Sequence, residues 1–174
     1  RSFDVGVTKY FEDARGWIDV TAFYNQFFDL IDFDAGPPPR LVNRSEVVTY
    51  GVEASGEIDL TDRLGLSAFF TWLEADILGS PDELRSRPRW QAGGRAAYKA
   101  SAEARFALNA LYVGARSDSS IPTGDVTLDD YIRFDASASW RITERAELRG
   151  SVTNVLDTKY EDAVGFRGDG IGAY

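Results

Sequence analysis

The side chains of this chain that are best suited to chemistry are carboxylates in one polar stretch of its second half. Asp118, Asp125, Asp129 and Asp130 lie close together in the sequence, and a hard cation such as calcium binds several oxygens of this kind. Their spacing matches no calcium-binding loop, and a solvated acidic loop explains them more simply. The four aspartates are weak metal candidates, and we expect no metal and no cofactor.

A second group of carboxylates, Asp157, Glu161 and Asp162, follows near the end of the sequence. Two carboxylates can work as an acid and a base, but a solvated loop with a turn formed by Asn154 and Asp157 accounts for the same residues. The chain contains no Cys and no His, so it offers no thiolate nucleophile and no imidazole base. We therefore expect no catalytic residue and no enzyme.

The overall charge narrows the range of partners. The net charge is -9 at pH 7, whereas binding to nucleic acid requires a basic patch. No cluster of Lys and Arg in the sequence reverses this balance. We expect no nucleic-acid partner.

The elements that would carry these residues are β-strands, because apolar and polar side chains alternate along most of the chain. No apolar run reaches the length of about 18 residues that a membrane-spanning helix needs. The alternation predicts about eight strands, over residues 3–7, 18–24, 48–60, 64–72, 90–98, 104–112, 132–142 and 146–152. Most of them approach or exceed about ten residues, the length of a tilted membrane-spanning strand, whereas strands of soluble proteins peak at about 5–6.

The connections between these strands are alternately short and long. Tight turns are predicted at residues 12–15, 61–63, 100–103 and 143–145, and longer polar loops at 33–46, 76–89 and 116–130. Outer-membrane barrels have short periplasmic turns and long extracellular loops, so the first strand would run toward the periplasm. Pro37-Pro38-Pro39 in the first long loop either stiffens it or offers a polyproline segment for recognition.

Aromatic residues near the strand ends support a membrane setting. Their rings share the apolar face with Ala, Val, Leu, Phe and Gly, and Trp and Tyr favour the membrane–water interface. The alternative is that they belong to the core of a soluble sandwich. The predicted interface residues are Tyr50, Trp72, Trp90, Tyr98, Tyr112 and Trp140.

The opposite face is too charged for a sandwich core and suits the wall of a wet or plugged lumen. Glu53 and Glu57 lie on it in one strand, and Arg133 and Asp135 in another. We expect opposite charges on neighbouring strands to pair across the ladder. Taken together, the pattern predicts an all-β antiparallel meander in the outer membrane of a Gram-negative bacterium, in contact with outer-membrane lipid.

Several motifs, in order, resemble the last third of TonB-dependent outer-membrane receptors, and most closely the cobalamin and siderophore branch. The stretch from Val152 to Tyr160, with Asn154, Asp157 and Tyr160 and with Gly165 after it, resembles a signature near the C-terminus of these receptors. Three further stretches resemble the family as well: Asp29-Leu30-Ile31 after Phe23-Tyr24-Asn25, Asn43 followed by Tyr50-Gly51-Val52-Glu53-Ala54, and Leu84-Arg85-Ser86-Arg87-Pro88 before a strand.

The resemblance implies a place within a 22-stranded barrel that surrounds an N-terminal plug. It also implies uptake of a scarce ligand bound at the extracellular loops, driven by TonB through the plug. We expect residues 1–174 to form one barrel segment that lacks the plug domain and the first half of the barrel. Two alternatives stay open: a complete eight-stranded barrel with a structural or adhesive role, and a soluble carrier with an apolar lumen.

Overall fold

The computed structural model describes residues 1–12 and 15–174, and these residues form one large antiparallel sheet with two small hairpins attached. In the order in which they lie side by side, the strands of the sheet are β1 (Ser2–Phe11), β2 (Gly16–Asp34), β3 (Arg40–Asp59), β4 (Leu64–Ile77), β5 (Trp90–Lys99), β6 (Ala104–Val113), β9 (Tyr131–Thr143), β10 (Ala146–Thr153) and β13 (Gly172–Ala173). The hairpins are β7 (Arg116–Ser120) with β8 (Gly124–Leu128), and β11 (Glu161–Ala163) with β12 (Phe166–Arg167).

The predicted meander of long strands is confirmed. Each of the eight predicted ranges coincides with one long strand, and only Leu60 falls just outside, beyond the end of β3. Among the described residues, no helix is long and apolar enough to cross a membrane.

A Ser or Thr side chain closes three of the tight turns. The Thr61 hydroxyl accepts hydrogen bonds from the Arg63 and Leu64 amides at 3.1 and 2.9 Å. The Ser101 hydroxyl accepts from the Glu103 and Ala104 amides, both at 3.1 Å, and Thr143 does the same for the Arg145 amide at 3.2 Å. Such side-chain bonds favour turns over continued strand. Of the fourth predicted turn, residues 12–15, positions 13 and 14 lie outside the described residues.

Two of the three predicted long loops are largely strand, which corrects the sequence-based assignment, and β4 extends two residues into the third, to Ile77. The prediction of a loop at 33–46 is wrong, because β2 continues to Asp34, β3 starts at Arg40, and only residues 35–39 connect them. The loop predicted at 116–130 folds largely into the β7–β8 hairpin. Backbone pairing satisfies amides and carbonyls that would otherwise be left to solvent.

The sheet has a turn end, where the tight turns lie, and a loop end, where the long connections lie. Its buried core sits at the loop end, where the hairpins pack over the ends of the long strands, and it contains Val47, Val48, Ile77, Val113, Leu128 and Tyr131. The strand residues of β1 are all exposed. Among the described residues, β1 pairs only with β2, and residues 146–150 of β10 pair only with β9. The sheet does not close on itself, so the complete eight-stranded barrel is not favoured.

Candidate ligand-facing site at the loop end

The six predicted interface aromatics all lie on the apolar face of the sheet. Trp72 and Trp90 are directly opposite each other on β4 and β5, with ring centroids 6.2 Å apart, and Tyr50 meets Trp72 edge-on at 6.1 Å. With Tyr112 they form a belt near the loop end, and Tyr98 and Trp140 lie near the turn end. On β5 the two belts are about 26 Å apart along the strand, which a tilt of about 40° reduces to about 20 Å, close to the apolar band of about 25 Å of outer-membrane barrels.

The opposite, polar face carries charges whose signs are separated along the sheet. Asp19, Glu53 and Glu57 lie on β2 and β3, whereas Arg95, Lys99 and Arg105 lie on β5 and β6. The register sets Glu57 against Ser67 and Lys99 against Arg105. The apolar lumen that a soluble carrier would need is therefore not found in this wall.

The expectation that opposite charges pair across neighbouring strands is confirmed for Asp34 on β2 and Arg40 on β3, which lie opposite each other at 3.2 Å. On the polar face, Glu147 on β10 lies directly opposite Arg141 on β9. Two further ion pairs join residues of the same strand. Arg133 lies 3.3 Å from Asp135 in β9, and Arg149 lies 3.0 Å from Glu147 in β10. Alternation in a strand dictates which face a charge occupies but not which residue stands opposite, because register depends on turn length.

At the loop end, ion pairs join three parts of the chain that are far apart in the sequence. Asp32 on β2 accepts a hydrogen bond from Arg44 Nε on β3 at 3.2 Å, and Arg85 Nε lies 3.7 Å from its other oxygen. Arg44 also bonds Asp82 at 2.6 Å, and Arg85 Nη1 lies 4.0 Å from Asp118. This loop-end network (Asp82, Arg44, Asp32, Arg85 and Asp118) ties the β4–β5 loop to the β2–β3 ladder and to the β7–β8 hairpin.

The centre of the network is largely buried, so the loss of one partner would leave the other charge uncompensated. The side chains of Asp32 and Arg44 are only 10% and 16% exposed, and the Arg85 guanidinium also lies 5.0 Å above the Phe33 ring. The hydrogen bond from Arg44 holds the pKa of the Asp82 carboxyl below its usual value, and the Gly36 amide together with Arg40 lowers the pKa of Asp34. Both carboxyls lie beyond the loop-end belt and stay charged at neutral pH.

The β7–β8 hairpin is fixed to the last hairpin by two buried polar residues. Arg116 donates from Nη2 to the carbonyls of Glu161 and Asp162 at 2.6 and 3.0 Å. Asp118 accepts from the Val164 amide at 2.7 Å and from the Ser119 amide at 2.9 Å. Arg116 and Asp118 are 6% and 5% exposed, so the interpretation of the 116–130 segment as a fully solvated acidic loop is wrong for Asp118.

The four weak metal candidates are not assembled into a site. Asp118 faces backbone amides, Asp125 lies in β8 opposite Ser119, and Asp129 and Asp130 lie between β8 and β9. Among residues 1–12 and 15–174, no group of three or more carboxylates has a geometry that could hold a metal ion. Asp129 and Asp130 instead line a cleft with Lys159, Glu161 and Arg167.

The family-motif residues build the corner between β10 and the last hairpin. Asn154 has a φ of 50° and is 1% exposed. Its side-chain amide donates to the carbonyls of Thr158 and Asp169 at 2.9 and 3.0 Å, and its side-chain oxygen accepts from the Thr158 amide at 2.9 Å. Asp157 has a φ of 49°, and Lys159, at 2.8 Å, lowers the pKa of its carboxyl.

Tyr160 extends this corner toward the polar face. Its ring stacks on Tyr131 with centroids 4.2 Å apart, and its hydroxyl accepts from Arg133 Nη1 at 3.1 Å. The Tyr131 hydroxyl in turn donates to Asp162 at 3.0 Å. A Cβ built on Gly168 would lie 2.1 Å from the Tyr160 ring, so only glycine fits beneath it.

Comparison with known proteins finds one matching family model and several relatives. A family model described as TonB dependent receptor-like, beta-barrel matches residues 1–155. The vitamin B12 transporter BtuB of Vibrio vulnificus is 29% identical over 170 residues, 94% of this chain and 26% of that protein. The iron-regulated outer membrane virulence protein of Vibrio cholerae is 26% identical over 162 residues, 79% of this chain and 24% of its own length.

Solved structures share the fold. The ferric-catecholate import receptor Fiu of E. coli K12 matches 99% of this chain and 26% of its own with a TM-score of 0.80 at 17% identity. The ferripyoverdine receptor of Pseudomonas aeruginosa matches 99% of this chain and 26% of its own with a TM-score of 0.79 at 18% identity. The chain spans about a quarter of the length of the curated relatives it matches.

Proposed function

From the premise that this chain belongs to the TonB dependent receptor-like β-barrel family of the Gram-negative outer membrane, we propose that it forms part of the barrel wall of an active transporter. The transporter takes up a scarce ligand, a siderophore, cobalamin or a similar compound, with energy supplied through TonB. The match to a vitamin B12 transporter over 94% of this chain carries the proposal. Residues 1–174 are one barrel segment of this receptor.

The two faces of the sheet have different roles in this proposal. The apolar face contacts outer-membrane lipid, with Tyr50, Trp72, Trp90 and Tyr112 at one interface and Tyr98 and Trp140 at the other. The polar face lines a lumen that holds the receptor's plug domain, through which TonB acts. Its charges favour a wet or protein-filled lumen over an apolar one.

The loop end is the ligand-facing surface in this proposal. The loop-end network holds three connections together through partly buried charges, so they present a defined surface before a ligand arrives. Such preorganisation raises affinity because less ordering is required on binding. No step of uptake requires covalent chemistry from the carboxylates of this segment.

A complementation experiment tests the proposal. The full-length receptor is expressed in a Gram-negative strain that lacks its own cobalamin and siderophore receptors, and growth is measured with cobalamin or a ferric siderophore limiting. We expect one of these nutrients to restore growth at nanomolar supply, and the same plasmid to fail in a strain without TonB. Growth that is equal with and without TonB would refute active transport, and no growth on any such nutrient would refute the ligand class.

A further inference from the structure

Three basic side chains form one row across the polar face near the turn end. In the register, Lys99 on β5 lies opposite Arg105 on β6, Arg105 lies opposite Ser139 on β9, and Ser139 lies opposite Arg149 on β10. Lys99, Arg105 and Arg149 therefore share one face and one level of the sheet. Like charges directly opposite each other on neighbouring strands are destabilising unless an anion lies between them.

Carboxylates of the described residues compensate for only one of these charges. Arg149 lies 3.0 Å from Glu147. No described carboxylate lies within 4.0 Å of Lys99 or of Arg105. Arg95, four residues before Lys99 on the same face of β5, bonds the neutral Asn109 at 3.1 Å. The acids of this wall that lack an ion-pair partner in the described residues lie on β1, β2 and β3, away from the row.

Small residues leave room beside the row. A groove of about 660 Å³ runs over the polar face between Arg95, Lys99, Arg105 and Arg149, and Ala107 and Ser139 are among the residues of its floor. That volume holds several side chains.

We propose that this groove binds an acidic segment of polypeptide seated in the lumen, whose Asp or Glu side chains pair with Lys99, Arg105 and Arg149. The proposal rests on the proposed function, because that function makes the polar face a lumen wall. A lipid phosphate fits less well, since the row faces away from the apolar face that carries Tyr98 and Trp140. Relatives are about four times as long as this span, and the segment comes from the receptor's polypeptide outside residues 1–174.

Zero-length cross-linking of the purified full-length receptor tests the proposal. A carbodiimide joins an amine to a carboxylate only when the two are in contact, and mass spectrometry identifies the peptides. We expect Lys99 to be joined to an Asp or Glu outside residues 1–174, in a segment that is not a barrel strand. Arg105→Gln should lower the yield several-fold because it removes a charge that holds the acid. The exposed Arg87→Gln, in the β4–β5 loop at the opposite end of the sheet, should leave the yield unchanged.

The controls separate the possible outcomes. Lys99→Arg keeps the charge but removes the reactive amine, so it should abolish the cross-link, and heat-modifiable migration on a gel confirms that each variant is folded. Coupling of Lys99 only to acids of this span such as Glu103, only to a barrel strand, or to nothing would overturn the proposal. Failure of the growth experiment with an intact cross-link would refute the transport function and leave the acidic segment in place.

Discussion

Single residues show which face of the sheet meets lipid. Ala136 on β9 lies between Leu108 and Val152, and the next residue, Ser137, lies on the polar face between Ala107 and Ser151. The two neighbours differ in surroundings although they share the same strand and depth. A comparison of a charged substitution at each position therefore measures the difference between the two faces of the sheet.

We predict that Ala136→Arg destabilises the full-length receptor by about 2–4 kcal/mol, because an arginine on the lipid face near mid-membrane must leave water. Ser137→Arg, its matched control, should cost much less. Denaturant titrations in lipid vesicles, followed by heat-modifiable migration, measure both free energies of unfolding. Equal losses for the two variants would mean that the two faces are not lipid and lumen.

A second residue-scale prediction concerns Asn154. Asn154→Ala should lower the free energy of unfolding by about 3 kcal/mol, because it leaves the amide and carbonyl of Thr158 and the carbonyl of Asp169 without their partners. The φ of 50° at this position also strains alanine. The control Asn109→Ala removes a single bond from the exposed Arg95 and should cost at most about 1 kcal/mol. Amide hydrogen exchange at Thr158 checks the change, and an unaltered exchange rate there would exclude the structural role of Asn154.

At the scale of elements, strands and turns follow from the sequence because their causes are local. Alternation dictates the faces of β4, β5, β6 and β9, and a Ser or Thr at the start of a turn provides the bonds that close it. The extension of β2 and β3 beyond the loop-end belt could not be predicted, because polar residues and three consecutive prolines interrupt the alternation there. Its strand pairing depends on the partner strand more than on propensity.

The loop-end network could not be predicted from the sequence, for a different reason. Asp32, Arg85 and Asp118 are far apart along the chain, and only the packing of three connections brings them together. The family resemblance includes Leu84-Arg85-Ser86, but no feature of the neighbouring sequence indicates that Arg85 lies between two carboxylates. Asn154, by contrast, was predictable as a turn residue, although its burial and its bond to Asp169 were not.

We predict that Asp32→Ala loosens the loop end, because it removes the carboxylate shared by Arg44 and Arg85. Breaking a partly buried ion pair costs about 2–3 kcal/mol locally, which corresponds to an increase of about 30- to 150-fold in amide exchange. Exchange should rise in the 76–89 loop and in the outer part of the β2–β3 ladder. Asp34→Ala removes the pair with the largely exposed Arg40 and the acceptor of the Gly36 amide, so its effect should stay within residues 35–39. An equal rise in the 76–89 loop for this variant would contradict a central role of Asp32.

The same network should weaken in acid through Asp82. Its pKa in the folded protein lies below 3.8 because Arg44 donates to it, so its contribution is complete above pH 3.8 and is lost as the pH falls through the lower folded value. Pepsin cleavage within residues 76–89 should therefore accelerate below pH 3.8. The ratio of wild-type to Asp82→Asn cleavage rates, measured at each pH, removes the pH dependence of the protease itself. A ratio that stays constant from pH 5 to 2.5 would contradict this role.

At the scale of the whole molecule, the unpaired strand edges decide whether the sheet can span a membrane by itself. Among the described residues, β1 pairs on one side only, and residues 146–150 of β10 also lack a second neighbour. Hydrocarbon provides no hydrogen bonds for free backbone groups, so an open edge is not stable in a bilayer. The sheet of residues 1–174 needs further strands at both edges before it can span a membrane.

We therefore predict that residues 1–174 expressed alone do not insert into lipid vesicles as a monomer, because each unpaired amide or carbonyl in hydrocarbon costs several kcal/mol. The isolated segment should associate or stay outside the bilayer, without heat-modifiable migration and without protection from protease. The full-length receptor, refolded into the same vesicles, should show both properties. A protected, heat-modifiable monomer of the isolated segment would mean that β1 and β10 can pair, and would restore the complete eight-stranded barrel as the better description.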